Sequence, residues 1–454
     1  MSEARSLLES AVTLRGRQDM VGALDAIRGA GKLAPNDPDI ALGLAQLSYE
    51  AGLASAEAFA AAARLAPQRL EIRRSMAIAV AAEGDGSDGE AILAAAIAEH
   101  PGWVEGHRTL CGMRTIAGQA DFARSFAEAT AAEPANQALW LAWFHTLSIA
   151  REWDAAGRVL NEAEAVLGSR LPIRIGRLFI ASESGAARDD AQLFDAVEGV
   201  ADPGLDMARV RHFLRGGQVA RAEAVAAAHI GKPSVRPFWP YLSLAWRLLE
   251  DPRAEWLDAG MERVRVADLG CSAQELAELS EALRTRHTAR APYHEQSVRG
   301  GIQTDRPLLL EIDPVIMAIR CRIEAAVRDY IDALPAPDPS HPLLSPPRGD
   351  FRFSGSWSVR LRANGFHATH SHPAGWISSA LYVEVPEAAK RGPAPAGHLL
   401  FGTPPPELDL PLAPYGDIAP EPGCMALFPS TMWHGTAPFD DGERMTIAFD
   451  VVPA

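Results

Sequence analysis

At 454 residues the chain has room for two or three domains, each able to bury a core. A formal charge of −15 argues against nucleic acid or an anionic membrane as the main partner. The 4 cysteines (Cys111, Cys271, Cys321 and Cys424) are scattered without C-x-x-C spacing, which argues against a disulfide framework or thiolate metal site and fits a reducing compartment.

The amino-terminal stretch has early acids and no apolar run of signal length. No segment approaches the roughly 18 continuous apolar residues of a membrane helix, so the expected location is the cytoplasm. Prolines recur at Pro35, Pro67, Pro101 and Pro134, with spacings of 32, 34 and 33. At a constant offset of 17 residues come Gly52, Gly84, Gly118 and then Arg151. An apolar helical stretch lies between each proline and its partner, and an alanine-rich one follows. Proline at a helix start and glycine at a helix end are the expected punctuation. Two helices per period of about 34 resemble the tetratricopeptide repeat, over roughly residues 1–170. Helical patterning continues beyond Pro172, so residues 1–255 are expected to form a solenoid of helix pairs with an extended concave surface. That surface would serve as a groove for a protein or peptide, or as a scaffold through which the chain homo-oligomerises. Trp140, Trp143 and Phe144, at i, i+3 and i+4, read as repeat core.

Residues 256–289 are expected to form a helical connector, in which Ser272 and Glu275 make a capping box. The segment from Tyr293 to Thr304 breaks periodicity with two adjacent glycines; Arg299 and Gln303 could act there as lid residues or simply join helix to barrel. A helix follows, with Asp313 as N-cap, Pro314 at N1 and a stripe of Ile316, Ile319, Ile323, Val327, Tyr330 and Leu334. A proline-rich run over 335–347 ends it.

From residue 351 the apolar period falls to 2. Strands are expected over 356–362, 376–385, 397–401, 425–428 and 444–452, separated by glycine and proline clusters, so residues 290–454 read as a sandwich or barrel. Within it His370 and His372 are spaced to share one strand face, His434 follows from a distant strand, and Arg444 lies beyond. Three imidazoles can hold one metal ion and leave positions open, as a reactive site requires. An arginine nearby could hold a carboxylate beside that metal. His367 would face away on a regular strand, unless a bulge turned it. Arg360 could face the mouth or solvent, and Trp433 is expected to shape the metal strand by packing.

The segments QSVRGGIQT, WSVRL, GFHATHSHPAGWISSALYVEVP and LFPSTMWHGTAPF…RMTIAFDVVP resemble the 2-oxoglutarate- and Fe(II)-dependent oxygenases, in the branch with tetratricopeptide repeats upstream. The resemblance implies a double-stranded β-helix (a jelly-roll, cupin-like domain) in which Fe(II) is held by His370, His372 and His434. His372 stands where the family pattern has an acid. The resemblance further implies that Arg444 pairs with the far carboxylate of the co-substrate 2-oxoglutarate, assisted by Thr446. Tyr382 and Trp376 flank the expected cavity, where aromatics commonly serve as core; Tyr382 is grouped with the co-substrate contacts. Three protein ligands leave room for 2-oxoglutarate and O2, and no catalytic residue is expected beyond the metal and co-substrate ligands. The implied reaction is hydroxylation of a side chain in a protein or peptide recruited by the repeats. Two other readings stay open: a non-catalytic barrel that binds a metal or small acid on a repeat scaffold, and a three-histidine cupin-type dioxygenase that does not use 2-oxoglutarate.

Overall fold

A computed structural model describes residues 3–84 and 86–454; residues 1, 2 and 85, at the edge of and inside the expected repeat domain, lie outside the described residues. Antiparallel helix pairs run from Glu3–Gly16 and Met20–Leu33 to Trp239–Leu248 and Arg253–Asp258. Gly52, Gly118 and Arg151 all adopt left-handed φ (+76°, +75° and +60°) just past a helix end, the conformation that reverses the chain into the second helix. Arg151 therefore occupies a glycine position at some backbone cost. The recurring prolines do something other than start helices. Pro35, Pro67, Pro101 and Pro134 each follow the C-cap of the second helix, where a residue that cannot continue a helix stops it. Trp140 is buried and stacks on Trp143 in the expected repeat core.

The carboxy-terminal half forms two antiparallel sheets. Strands β1 (Arg265–Asp268), β2 (Val298–Gln303), β3 (Phe351–His367), β4 (Ile377–Glu384), β5 (Leu399–Phe401), β6 (Gly416–Ile418), β7 (Cys424–Pro429), β8 (His434–Thr436) and β9 (Arg444–Pro453) follow in chain order. The larger sheet has the order β1-β7-β4-β9-β3-β2 and the smaller β6-β5-β8, and Leu399 and Phe401 pack on Ala426 and Phe428 between them. This is the expected jelly-roll arrangement. The segment 256–289 is not wholly helical: it contributes β1, which pairs with β7 at the sheet edge, and then the Ser272-capped helix Ala273–Arg284. The glycine-broken segment is strand β2. Gly300 and Gly301 permit close approach there, since a Cβ on Gly301 would lie 2.4 Å from the Arg360 carbonyl.

Side-chain alternation along β9 decides what each face does. Met445, Ile447, Phe449 and Val451 pack against the Pro314–Asp332 helix through Ile316, Ile323 and Val327, while Arg444, Thr446 and Asp450 line a cavity on the other side. The solenoid curls around this domain from end to end. Near its start the Gln18 amide bonds both the N–H and the C=O of Phe353. Near its end Trp433 packs into the repeat core and donates its indole N–H to the Pro240 carbonyl at 2.7 Å. Between them, Arg290 and Ala291 donate backbone N–H groups to the Ile116 carbonyl at a repeat turn. Among the described residues no helix is long and apolar enough to cross a membrane.

Candidate active site

Three imidazoles converge where β8 meets the loop after β3. His370 lies outside a regular strand, contrary to the simple strand-face expectation, but its N–H and C=O each bond their counterparts on His434 at 2.9 Å. Directly opposed antiparallel residues project to the same face, so this single bridge brings both rings together. His372 is fixed by its N–H donating to the Ser430 carbonyl at 2.8 Å. The ring centres are 4.3 Å (His370–His434), 4.9 Å (His370–His372) and 5.3 Å (His372–His434) apart. One ligand atom from each lies within 4.8 Å of the others, a spacing able to hold a metal ion.

The partners of Nδ1 determine which nitrogen is free. Nδ1 faces the Ala368 carbonyl in His370 (2.8 Å), the Met432 carbonyl in His434 (3.0 Å) and the Asp450 carboxylate in His372 (2.7 Å). Each partner accepts a hydrogen bond, which fixes the proton on Nδ1 and leaves Nε2 as the donor atom toward a metal. Burial, with His372 nearby, pushes His370 down to about 3, and burial with His370 nearby holds His434 well below the usual imidazole range. Neutral imidazoles are the form that ligates. His367 also lines the cavity, 5.9 Å from the His370 ring, but its Nδ1 is engaged by the Ser297 hydroxyl and it lies outside the cluster.

Deeper in the same cavity sits Arg444, 3% exposed. It donates to the Gly397 carbonyl at 2.9 Å, its Nε has no hydrogen-bond partner, and among the described residues no carboxylate forms an ion pair with it. Burial lowers its pKa. The Tyr382 hydroxyl is likewise buried and unpartnered, its ring 5.8 Å from the guanidinium, and burial pushes its phenol up to about 12. Thr446, 4% exposed, stands two residues along β9 from Arg444. A buried cation flanked by an orphan hydroxyl is a ready receptor for a carboxylate. Trp376 is core instead, with its indole N–H on the Leu343 carbonyl. Arg360 points away from the mouth and pairs with Glu443.

The cavity encloses about 690 Å3. Its outer wall comes from the repeats, through Arg151, Met207, Arg211 and Tyr241, and its rim includes Arg299 and Gln303 on β2. Glu407 ties the wall to the barrel, 3.0 Å from Arg151 and 3.6 Å from Arg211. Three residues near the histidine cluster went unread in the sequence. Ser297 Oγ lies 3.3 Å from His370 Nε2, Trp357 stacks on His372 at 5.6 Å, and Asp450 holds its ring nitrogen. Asp450 carried a readable signal, since it extends the alternation of Arg444 and Thr446 along β9.

Residues 355–450 match the family described as "Putative 2OG-Fe(II) oxygenase". No curated protein matches the chain. Among solved structures, the chain is similar to a viral collagen prolyl hydroxylase from Paramecium Bursaria Chlorella virus-1 (14% identity, 42% of this chain and 97% of that one, TM-score 0.30). It is also similar to a Pseudomonas putida prolyl-4-hydroxylase (14% identity, 42% and 93%, TM-score 0.28). A tetratricopeptide repeat protein from Parabacteroides merdae ATCC 43184 is similar over 56% of this chain and 89% of that one, at 12% identity and TM-score 0.31.

Proposed function

Because residues 355–450 match the 2OG-Fe(II) oxygenase family, we propose that the protein is an Fe(II)- and 2-oxoglutarate-dependent dioxygenase. We assign it the hydroxylation of a side chain in a protein or peptide substrate. The observation that carries this reading is the pairing, in one cavity, of three convergent Nε2 atoms with a buried arginine that lacks a carboxylate. His370, His372 and His434 would hold the iron. Arg444, Thr446 and the Tyr382 hydroxyl would receive the far carboxylate of 2-oxoglutarate, which completes the hydrogen bonding that both Arg444 Nε and Tyr382 lack. Iron and co-substrate, when bound, would supply the oxidising chemistry with O2 as the oxidant: one of its oxygen atoms ends in succinate as 2-oxoglutarate loses CO2, and the other is inserted into a substrate C–H bond. The chain's own contribution is to orient the three rings through their Nδ1 contacts, seat the co-substrate and exclude water with the repeat wall.

The repeat residues in that wall support a polypeptide substrate. A side chain entering the cavity would touch Tyr241 and Arg211 before reaching the histidines, while its flanking backbone lay along the junction. Arg444, which has no carboxylate partner among the described residues, supports 2-oxoglutarate as the co-substrate, and dependence on that co-substrate is what separates this reading from a cupin-type dioxygenase. Oxygen uptake by the iron-loaded protein, measured with and without 2-oxoglutarate, tests the assignment. Uptake should require the co-substrate. Equal uptake in its absence would move the protein to the cupin class, and no uptake in either case would make it a binding module.

A further inference from the structure

We infer that Asp450 is a positioning residue that lends its negative charge to the metal site through His372. This rests on reading His370, His372 and His434 as the ligands. The three rings are not held alike: His370 and His434 donate Nδ1–H to the neutral carbonyl two residues before each, whereas His372 donates to a carboxylate 78 residues away. Asp450 is 8% exposed and lies on the cavity face of β9. Its Oδ2 is 2.7 Å from His372 Nδ1 and its Oδ1 accepts from the Ser378 hydroxyl. That hydroxyl is 2.9 Å from the Ser430 hydroxyl, and the Ser430 carbonyl takes the His372 N–H. The four residues therefore close a loop of hydrogen bonds around the ligand. Trp357 stacks on the imidazole at an interplanar angle of 6°, which limits tilting.

His372 stands where an acidic ligand is usual, and a neutral ring leaves the metal one charge short. A carboxylate accepting Nδ1–H makes Nε2 a stronger donor and holds it in the ligating tautomer. The arrangement thus moves the missing acid one hydrogen bond outward.

The test is Co(II) titration of the metal-free full-length chain, followed by visible absorption. Asp450→Ala should raise the Co(II) dissociation constant by about 10–100-fold. Asp450→Asn, which keeps an acceptor and loses the charge, should fall between it and wild type. In a His372→Ala background the Asp450→Ala change should add almost nothing, because its route to the metal is gone. An equal loss in both backgrounds would mean that Asp450 merely supports the sheet and would overturn the inference, as would wild-type affinity in both Asp450 variants. His370→Ala and His434→Ala serve as the separate check on the ligand set. If both bind Co(II) like wild type, the ligand reading itself has failed.

Discussion

Replacing Arg444 by methionine should move two properties in opposite directions. The guanidinium is buried, makes one hydrogen bond to Gly397, leaves Nε unsatisfied and has no ion-pair partner among the described residues. Burying an unpaired charge costs several kcal/mol in real proteins, so the protein without co-substrate carries a standing penalty at this position. Methionine has similar length and adapts to irregular space, which keeps any cavity small. The variant should therefore be as stable as wild type or more stable, by about 1 kcal/mol or more once the lost hydrogen bond is deducted. Binding of 2-oxoglutarate should suffer instead. A hydrogen bond to a charged group contributes about 1.5–3 kcal/mol, so loss of the guanidinium fork should weaken binding about 100-fold, at 1.4 kcal/mol per decade. Arg444→Lys keeps the charge without the fork and should lose about tenfold. Calorimetric titration of 2-oxoglutarate and thermal melting of the same preparations give both numbers. A clearly destabilised Arg444→Met variant that still binds 2-oxoglutarate normally would refute the reasoning, because Arg444 would then be a structural group.

Three further predictions concern the frame around the site. Trp433→Ala should cost about 3–5 kcal/mol, since a buried indole that joins the repeats to the barrel is lost with its bond to Pro240; chemical denaturation should show the barrel and solenoid unfolding less cooperatively. Gly301→Ala would place a Cβ 2.4 Å from the Arg360 carbonyl and should destabilise the protein by about 1–3 kcal/mol through displacement of β2, read as a lower melting temperature. The metal-free protein should lose stability as pH falls below about 6.5, the unfolded imidazole value. Burial holds His287 at about 4 and His370 at about 3, so the unfolded chain takes up protons that the folded chain refuses. The slope approaches about 1.4 kcal/mol per pH unit for each histidine and vanishes above neutrality, which denaturation midpoints across pH 4.5–8 should trace.

The change of apolar period from helical to alternating, together with the repeat spacing, made both halves of the fold legible before any coordinates. Strands β3, β4, β7 and β9 were readable as alternating or apolar runs bounded by glycine and proline clusters. Strand β5 was read within 397–401 despite its 3 residues, whereas β6 and β8, also 3 residues each, are too short to show a period, and β1 sits in a segment dominated by helical signals. His370, His372 and His434 could be paired by spacing, yet the device that joins them is a lone backbone bridge that no strand pattern announces. Arg360 shows the limit of alternation alone: its face became clear only through its partner Glu443, a carboxylate it shares with Arg284. The repeat contribution to the cavity wall was not readable either, because Arg151, Arg211 and Tyr241 meet the barrel through the curvature of the whole solenoid. Arg151 was visible as a break in the glycine series, and its left-handed backbone and reach to Glu407 now give that break a structural context.

On the proposed function, three histidines and one arginine make this cavity an oxygenase site. Succinate formation from 2-oxoglutarate in the presence of Fe(II) and ascorbate, compared between wild type, His370→Ala and His434→Ala, tests it most directly. Wild type should turn over the co-substrate, slowly without substrate and faster with it, and both variants should fall to the level of iron without protein. Wild-type succinate production no greater than that of the two variants would contradict it.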